Sequence, residues 1–119
     1  MIYSKWNNRE YKRTIPGVRM RPLVYGDKTI LCEFLLEKGH HLPRHNHPYE
    51  QTGYMISGKV KFHIGEEWFD TFPGDSWCIP ENVFHDVIVE EDSHLIELFS
   101  PVRKDYLPEK TEEKKETTG

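Results

Sequence analysis

Short apolar segments recur along this chain at intervals of about ten residues, each closed by a glycine or proline turn. No stretch longer than a turn or two carries helical periodicity. Pro16-Gly17, Lys38-Gly39, Ser57-Gly58, Gly65-Glu66 and Pro73-Gly74-Asp75 supply the punctuation. Between them, Lys28 to Glu37 is apolar on both parities, as in a strand covered on both sides. In Lys59 to Ile64, Val60, Phe62 and Ile64 alternate with Lys59, Lys61 and His63, which predicts a half-buried strand with His63 on the outer surface. Further strands are expected at Val18 to Tyr25 (on an edge, because of Pro22), Gln51 to Ile56, Glu67 to Phe72, Ser76 to Ile79, Phe84 to Val89 and His94 to Ser100. Glu90-Glu91-Asp92-Ser93 reads as a turn that carries His94 with it, and a last turn is expected near Tyr106. The pattern specifies an all-β sandwich or barrel.

With 119 residues the chain makes one domain, expected over positions 1–107, with an N-terminal arm at 1–26 and the barrel proper at 27–100. From 108 to 119 the sequence PEKTEEKKETTG has no apolar side chain beyond its proline, and a disordered charged tail is expected there. The 16 basic and 20 acidic residues are intermixed and sum to −4, which argues against a nucleic-acid partner. No apolar run is long enough to span a membrane, and the first residues lack the apolar centre of a signal peptide, so a cytoplasmic protein is expected. Cys32 and Cys78 are then expected to be reduced, apolar-behaving strand residues.

Chemistry concentrates between Gly39 and Gly58. In extended chain His45 and His47 project to the same side and can reach one ion; Gln51 has the same parity and offers an amide oxygen. His85, at the start of a later strand, is the best fourth donor. Three neutral imidazoles and an amide oxygen suit a divalent transition metal: nickel, zinc, manganese, iron or copper. Glu50 lies on the opposite parity. Arg44, Arg19 and Arg21 read as solvated charges, His40 and His41 as loop residues, and Trp77, Phe62, Phe84 and Val87 as core.

Two motifs then carry a resemblance. Gly39, His45, His47, Gln51 and Gly58 keep every spacing of the first cupin motif, with Gln in place of Glu. Gly74, Pro80 and His85 keep the second, with Asn82 in place of Gly and Val89 in place of Asn. The chain thus resembles a small single-domain cupin, which implies a jelly-roll barrel with the metal inside and a homodimer formed through sheet edges and N-terminal strands. The segment Glu97 to Leu107, ELFSPVRKDYL, is similar to the C-terminal Asp-X-Phe-Ser-Pro-X-Arg-Glu-Asp-Phe-Leu of the KdgF-type pectin-degradation cupins. That resemblance implies conversion of an unsaturated monouronate to a linear ketouronate. It also implies that Glu97 (for the family Asp), Phe99 and Arg103 line the substrate pocket.

The residues themselves support a matching chemistry. Glu97 and Phe99 share a strand face, and Arg103 follows Pro101, so an acid/base group, an aromatic wall and a carboxylate fork can converge at the metal. The expected ligand is a small sugar acid, with Glu97 and Arg103 as catalytic residues and Phe99 and Arg103 in contact with it. Gln in place of a ligand carboxylate leaves the metal centre more positive and favours isomerisation over oxygen chemistry. A structural Glu97–Arg103 ion pair, a non-catalytic sugar- or metal-binding cupin and a cupin dioxygenase are the alternatives.

Overall fold

A computed structural model describes residues 2–7 and 10–108. Eight strands follow in order: β1 Lys12–Arg13, β2 Val18–Tyr25, β3 Ile30–Leu36, β4 His41–His45, β5 Glu50–Ile64, β6 Glu67–Thr71, β7 Ser76–Ile79 and β8 His85–Ser100. All pairings are antiparallel, in the order β1-β2-β3-β8-β5-β6, with β4 added to β8 and β7 to β5. The result is an all-β jelly roll wrapped around Met20, Ile30, Cys32, Met55, Val60, Leu95 and Phe99, each almost fully buried. Positions 109–119, and with them all but the first residue of the expected charged tail, lie outside the described residues. Among the described residues no helix is long and apolar enough to cross a membrane.

Strands β5 and β8 hold the barrel together, and here the architecture departs from expectation. Ser57-Gly58 does not reverse the chain, and Glu90 to Ser93 is not a turn; β5 and β8 run straight through both sites, 15 and 16 residues long. Register shifts at Met55/Ser57, Ser57/Lys59 and Lys59/Val60 bend the pair so that each strand serves both walls of the barrel. Gly58, at φ +98, allows the bend: a Cβ there would lie 2.3 Å from Ser93 Oγ and 2.5 Å from the Asp92 carbonyl oxygen. Pro22 pairs with Cys32 beside a register shift, on the stretch of β2 that β1 leaves uncovered, as a strand proline requires.

Three expectations about charged and aromatic side chains are corrected. Arg21 is buried, with Nε 2.5 Å from Glu33 Oε1, and the other Glu33 oxygen lies 2.5 Å from Nε2 of His94, a strand residue. Arg44 and His63 are not bare surface groups. Arg44 Nη1 and His63 Nδ1 each lie 2.8 Å from the buried Asp86 carboxylate, which also takes His41 Nε2 at 2.7 Å, while His63 stacks flat on Trp68. Asp86 sits across from His63 on the outer face of the sheet, and its carboxylate gathers Arg44 and the two imidazoles around it. Phe84 is about half exposed, since it ends a turn before β8 begins, whereas Phe62 and Val87 are core. Cys32 is buried and Cys78 exposed, both free.

Candidate metal centre and cavity

Four of the sequence-selected residues meet at one mouth of the barrel. His45 ends β4 opposite His85, the first residue of β8, and the rings lie 4.3 Å apart. His47 follows two residues later, 4.9 Å from the His85 ring and 5.4 Å from that of His45. One nitrogen from each ring lies within 4.8 Å of the others, close enough for one ion. The loop that carries His47 is tied to the second motif: Asn82 N donates to the His47 carbonyl oxygen at 2.8 Å, and Asn46 Nδ2 donates to the Asn82 carbonyl oxygen at 3.2 Å. Asn82 holds φ +64, the left-handed conformation that glycine takes most easily and asparagine next, which accounts for Asn at a glycine position of the motif.

The rings are prepared as ligands. Nδ1 of His45 and Nδ1 of His85 each lie 2.9 Å from a carbonyl oxygen, of Pro43 and Val83. A carbonyl only accepts, so both Nδ1 atoms carry the proton and both Nε2 lone pairs are free. Burial pushes His85 down to about 4, and burial, reinforced by the Arg103 guanidinium, lowers His47, so both are neutral at pH 7. His47 Nδ1 is buried without a hydrogen-bond partner, while Nε2 lies 3.0 Å from Gln51 Oε1. Adjacent donors on one ion at about 2.1 Å stand about 3 Å apart, so this pair, with His45 and His85, fits a divalent metal. Glu50 is exposed and lies outside the cluster.

Behind the histidines, Glu97 is buried in the cavity wall. Both hydrogen bonds to it arrive on Oε2, from Gln51 Nε2 at 2.5 Å and from Trp77 Nε1 at 2.9 Å. Because Gln51 donates from its nitrogen to Glu97, its oxygen must face the histidines. Burial raises the Glu97 carboxyl to about 7, against the opposing pull of the two donors and of Arg103. The expected alternative, a Glu97–Arg103 ion pair, does not form: Arg103 Nη2 lies 2.9 Å from Asp105 Oδ2. The Arg103 guanidinium also rests over Tyr106 at 3.9 Å, and over Tyr49 and Phe99 at 5.1 Å each. The three histidines, Gln51, Glu97, Phe99, Arg103, Asp105 and Tyr106 line a cavity of about 410 Å³ whose other wall is mostly apolar, with Val18, Phe34, Leu36, Phe62 and Leu95 among it.

Trp77, read from the sequence as core, is a polar contact of the site. Its reach depends on Gly53, which stands between Trp77 and Glu97 in the strand register and leaves room for the indole to cross β5. An isolated glycine inside a strand was the available signal. Tyr49, Asp105 and Tyr106, all beside Arg103, were also not singled out as site residues, and only the tertiary fold brings Tyr49 to them.

Comparison with known proteins agrees with this fold. The pectin degradation protein KdgF of Dickeya dadantii is 29% identical over 93 residues, 76% of this chain and 84% of that protein. The structure of KdgF from Halomonas superposes with a TM-score of 0.82 at 24% identity, covering 88% of this chain and 97% of that one. An RmlC-like cupin from Shewanella frigidimarina gives 0.84 at 22% identity, covering 90% and 96%. The cupin domain profile matches residues 32–100, a span that runs from the core of β3 to the end of β8 and takes in all three histidines, and the chain belongs to the cupin domain family.

Proposed function

We propose that this protein is a metal-dependent isomerase that converts an unsaturated monouronate, or a closely related small sugar acid, to a linear ketouronate. The observation that carries the reading is Glu97: a carboxyl raised to about 7, enclosed in the wall of a cavity that also presents a three-histidine cluster and an arginine. The similarity to KdgF, a pectin degradation protein, supplies the substrate class. His45, His47, His85 and Gln51 would hold a divalent metal, which supplies a Lewis acid for hydroxyl or carbonyl oxygens of the ligand.

The chain's own groups account for the rest. Arg103, its plane fixed by three rings, takes the ligand carboxylate, and Phe99 forms the apolar wall beside it. Glu97 accepts both its hydrogen bonds on Oε2, so in the acid form its proton sits on Oε1. Burial holds the Glu97 carboxyl well above the ordinary carboxylate range, which suits it to carry a proton at the site. As acid it gives that proton to the carbon end of the enol-ether double bond; the anomeric hydroxyl gives up its proton to restore Glu97 and becomes an aldehyde carbonyl, the bond from the anomeric carbon to the ring oxygen breaks, and the ring oxygen becomes the ketone oxygen. Atoms and electrons balance with no oxidant. We further read the protein as a cytoplasmic homodimer; the exposed Tyr3 and Trp6 of the N-terminal arm support the pairing.

The test follows the ultraviolet absorbance of an unsaturated galacturonate, whose conjugated enol ether absorbs and whose keto product does not. Catalysed loss with metal-loaded protein, abolished by a chelator or by His47→Ala, is expected. No loss beyond the uncatalysed rate, with metal bound and the fold intact, would remove this substrate.

A further inference from the structure

The guanidinium that lines the cavity arrives with a counter-ion already in place. Asp105 meets Arg103 along one edge, Oδ2 to Nη2 at 2.9 Å and Oδ1 to Nε at 3.4 Å. That Nε/Nη2 edge is one on which a carboxylate docks with two parallel bonds. The two partners are held very differently. The Arg103 side chain is only 15% exposed and lies among Tyr106, Tyr49 and Phe99, so it cannot swing away. The Asp105 side chain is 56% exposed on a single 3-10 turn, Lys104–Tyr106, and can turn out to water at little cost. Both residues border the same cavity.

We infer that Asp105 is an internal competitor for the ligand's carboxylate, occupying the Arg103 fork until an anionic ligand displaces it, and so setting how tightly anionic ligands bind. The inference rests on the proposed uronate reading of the cavity. An empty site keeps its buried guanidinium paired. An incoming carboxylate must take over the fork and tolerate the displaced charge nearby, which weakens binding of every anion and leaves neutral ligands untouched.

The experiment is a titration of the metal-loaded full chain with D-galacturonate and with its neutral amide, D-galacturonamide, by calorimetry or by NMR, for wild type, Asp105→Asn and Asp105→Ser. Two variants guard against a local folding defect in either, and circular dichroism reports the fold. Loss of one exposed, partly screened competing charge is expected to tighten galacturonate binding about three- to tenfold in both variants. Galacturonamide affinity should not change, so the acid-to-amide preference rises. Unchanged or weaker galacturonate binding in folded Asp105 variants would overturn the inference and make Asp105 a support for Arg103. Wild-type protein that binds acid and amide equally, or neither, would overturn the uronate reading together with it.

Discussion

Alanine at position 53 is expected to dislodge Trp77 and to cost about 2–4 kcal/mol of stability. A Cβ there would stand 2.3 Å from Trp77 Cε2 and Cζ2 and 2.5 Å from Nε1. Carbon atoms in contact sit about 3.5–4.0 Å apart, so the indole must retreat by more than about 1 Å. The ring packs on Phe62, centroids 4.6 Å apart, and has no free path inward. A retreat of that size carries Nε1 from 2.9 Å to beyond hydrogen-bond range of Glu97. Overpacking costs about 1–3 kcal/mol and a lost hydrogen bond to a buried carboxyl about 1–3 kcal/mol. Alanine returns less than about 1 kcal/mol by restricting the unfolded chain, so the steric cost wins. For a domain of this size the melting temperature should fall by about 10–25 °C. Urea denaturation gives the free energy, and the indole N–H resonance of Trp77 reports its hydrogen bond. A variant with the wild-type midpoint and an unshifted Trp77 resonance would refute the role assigned to Gly53.

Other expectations follow from the buried charges. Because burial raises Glu97 from 4.5 to about 7, folding favours its acid form; that stability is complete below the unfolded value and is lost as pH rises through about 7. Metal-free wild type should therefore lose roughly 3 kcal/mol between pH 4.5 and 8 relative to Glu97→Gln; parallel urea curves for the two proteins would contradict this. Burial alone would raise Glu33, but the hydrogen bonds from Arg21, Tyr11 and His94 win and hold it low. Its contribution is present above about pH 4.3 and disappears as pH falls through the depressed value, so Glu33→Gln should cost about 2–3 kcal/mol at pH 7 and much less in acid, read from urea midpoints at both pH values. Removing one imidazole by His85→Ala should weaken zinc binding at least tenfold in a competition titration, and unchanged affinity would exclude His85 as a ligand.

How much of this was legible in the sequence depends on the range of the contact that mattered. Parity and spacing brought out His45, His47 and Gln51 because the short loop between β4 and β5 keeps them on one side, and the pairing of His45 with His85 completes the arrangement. The alternation of Val60, Phe62 and Ile64 appears as expected along β5. Two expected turns failed for one reason: Ser57-Gly58 and Glu90 to Ser93 have turn composition, but they face each other across β5 and β8, and a bulge absorbs the irregularity while ladder pairing continues on both sides. The misread charges share another cause. Arg21 is held by Glu33, which His94 also meets, and Arg44 and His63 gather with His41 on the buried Asp86; every one of these partners lies far along the chain. A hydropathy pattern carries no trace of such pairing. Gly53 is intermediate: its presence in a strand was visible, but the indole it admits became evident only from the register.

The most direct test of the account is single-turnover loss of unsaturated galacturonate absorbance by metal-loaded Glu97→Gln beside wild type, with ligand affinity measured in parallel. The isosteric amide can accept the Gln51 and Trp77 hydrogen bonds on its oxygen but has no proton to give, so binding should persist while turnover falls by at least a hundredfold. Turnover by Glu97→Gln at the wild-type rate would show that another group moves the proton, and would contradict the assignment of Glu97.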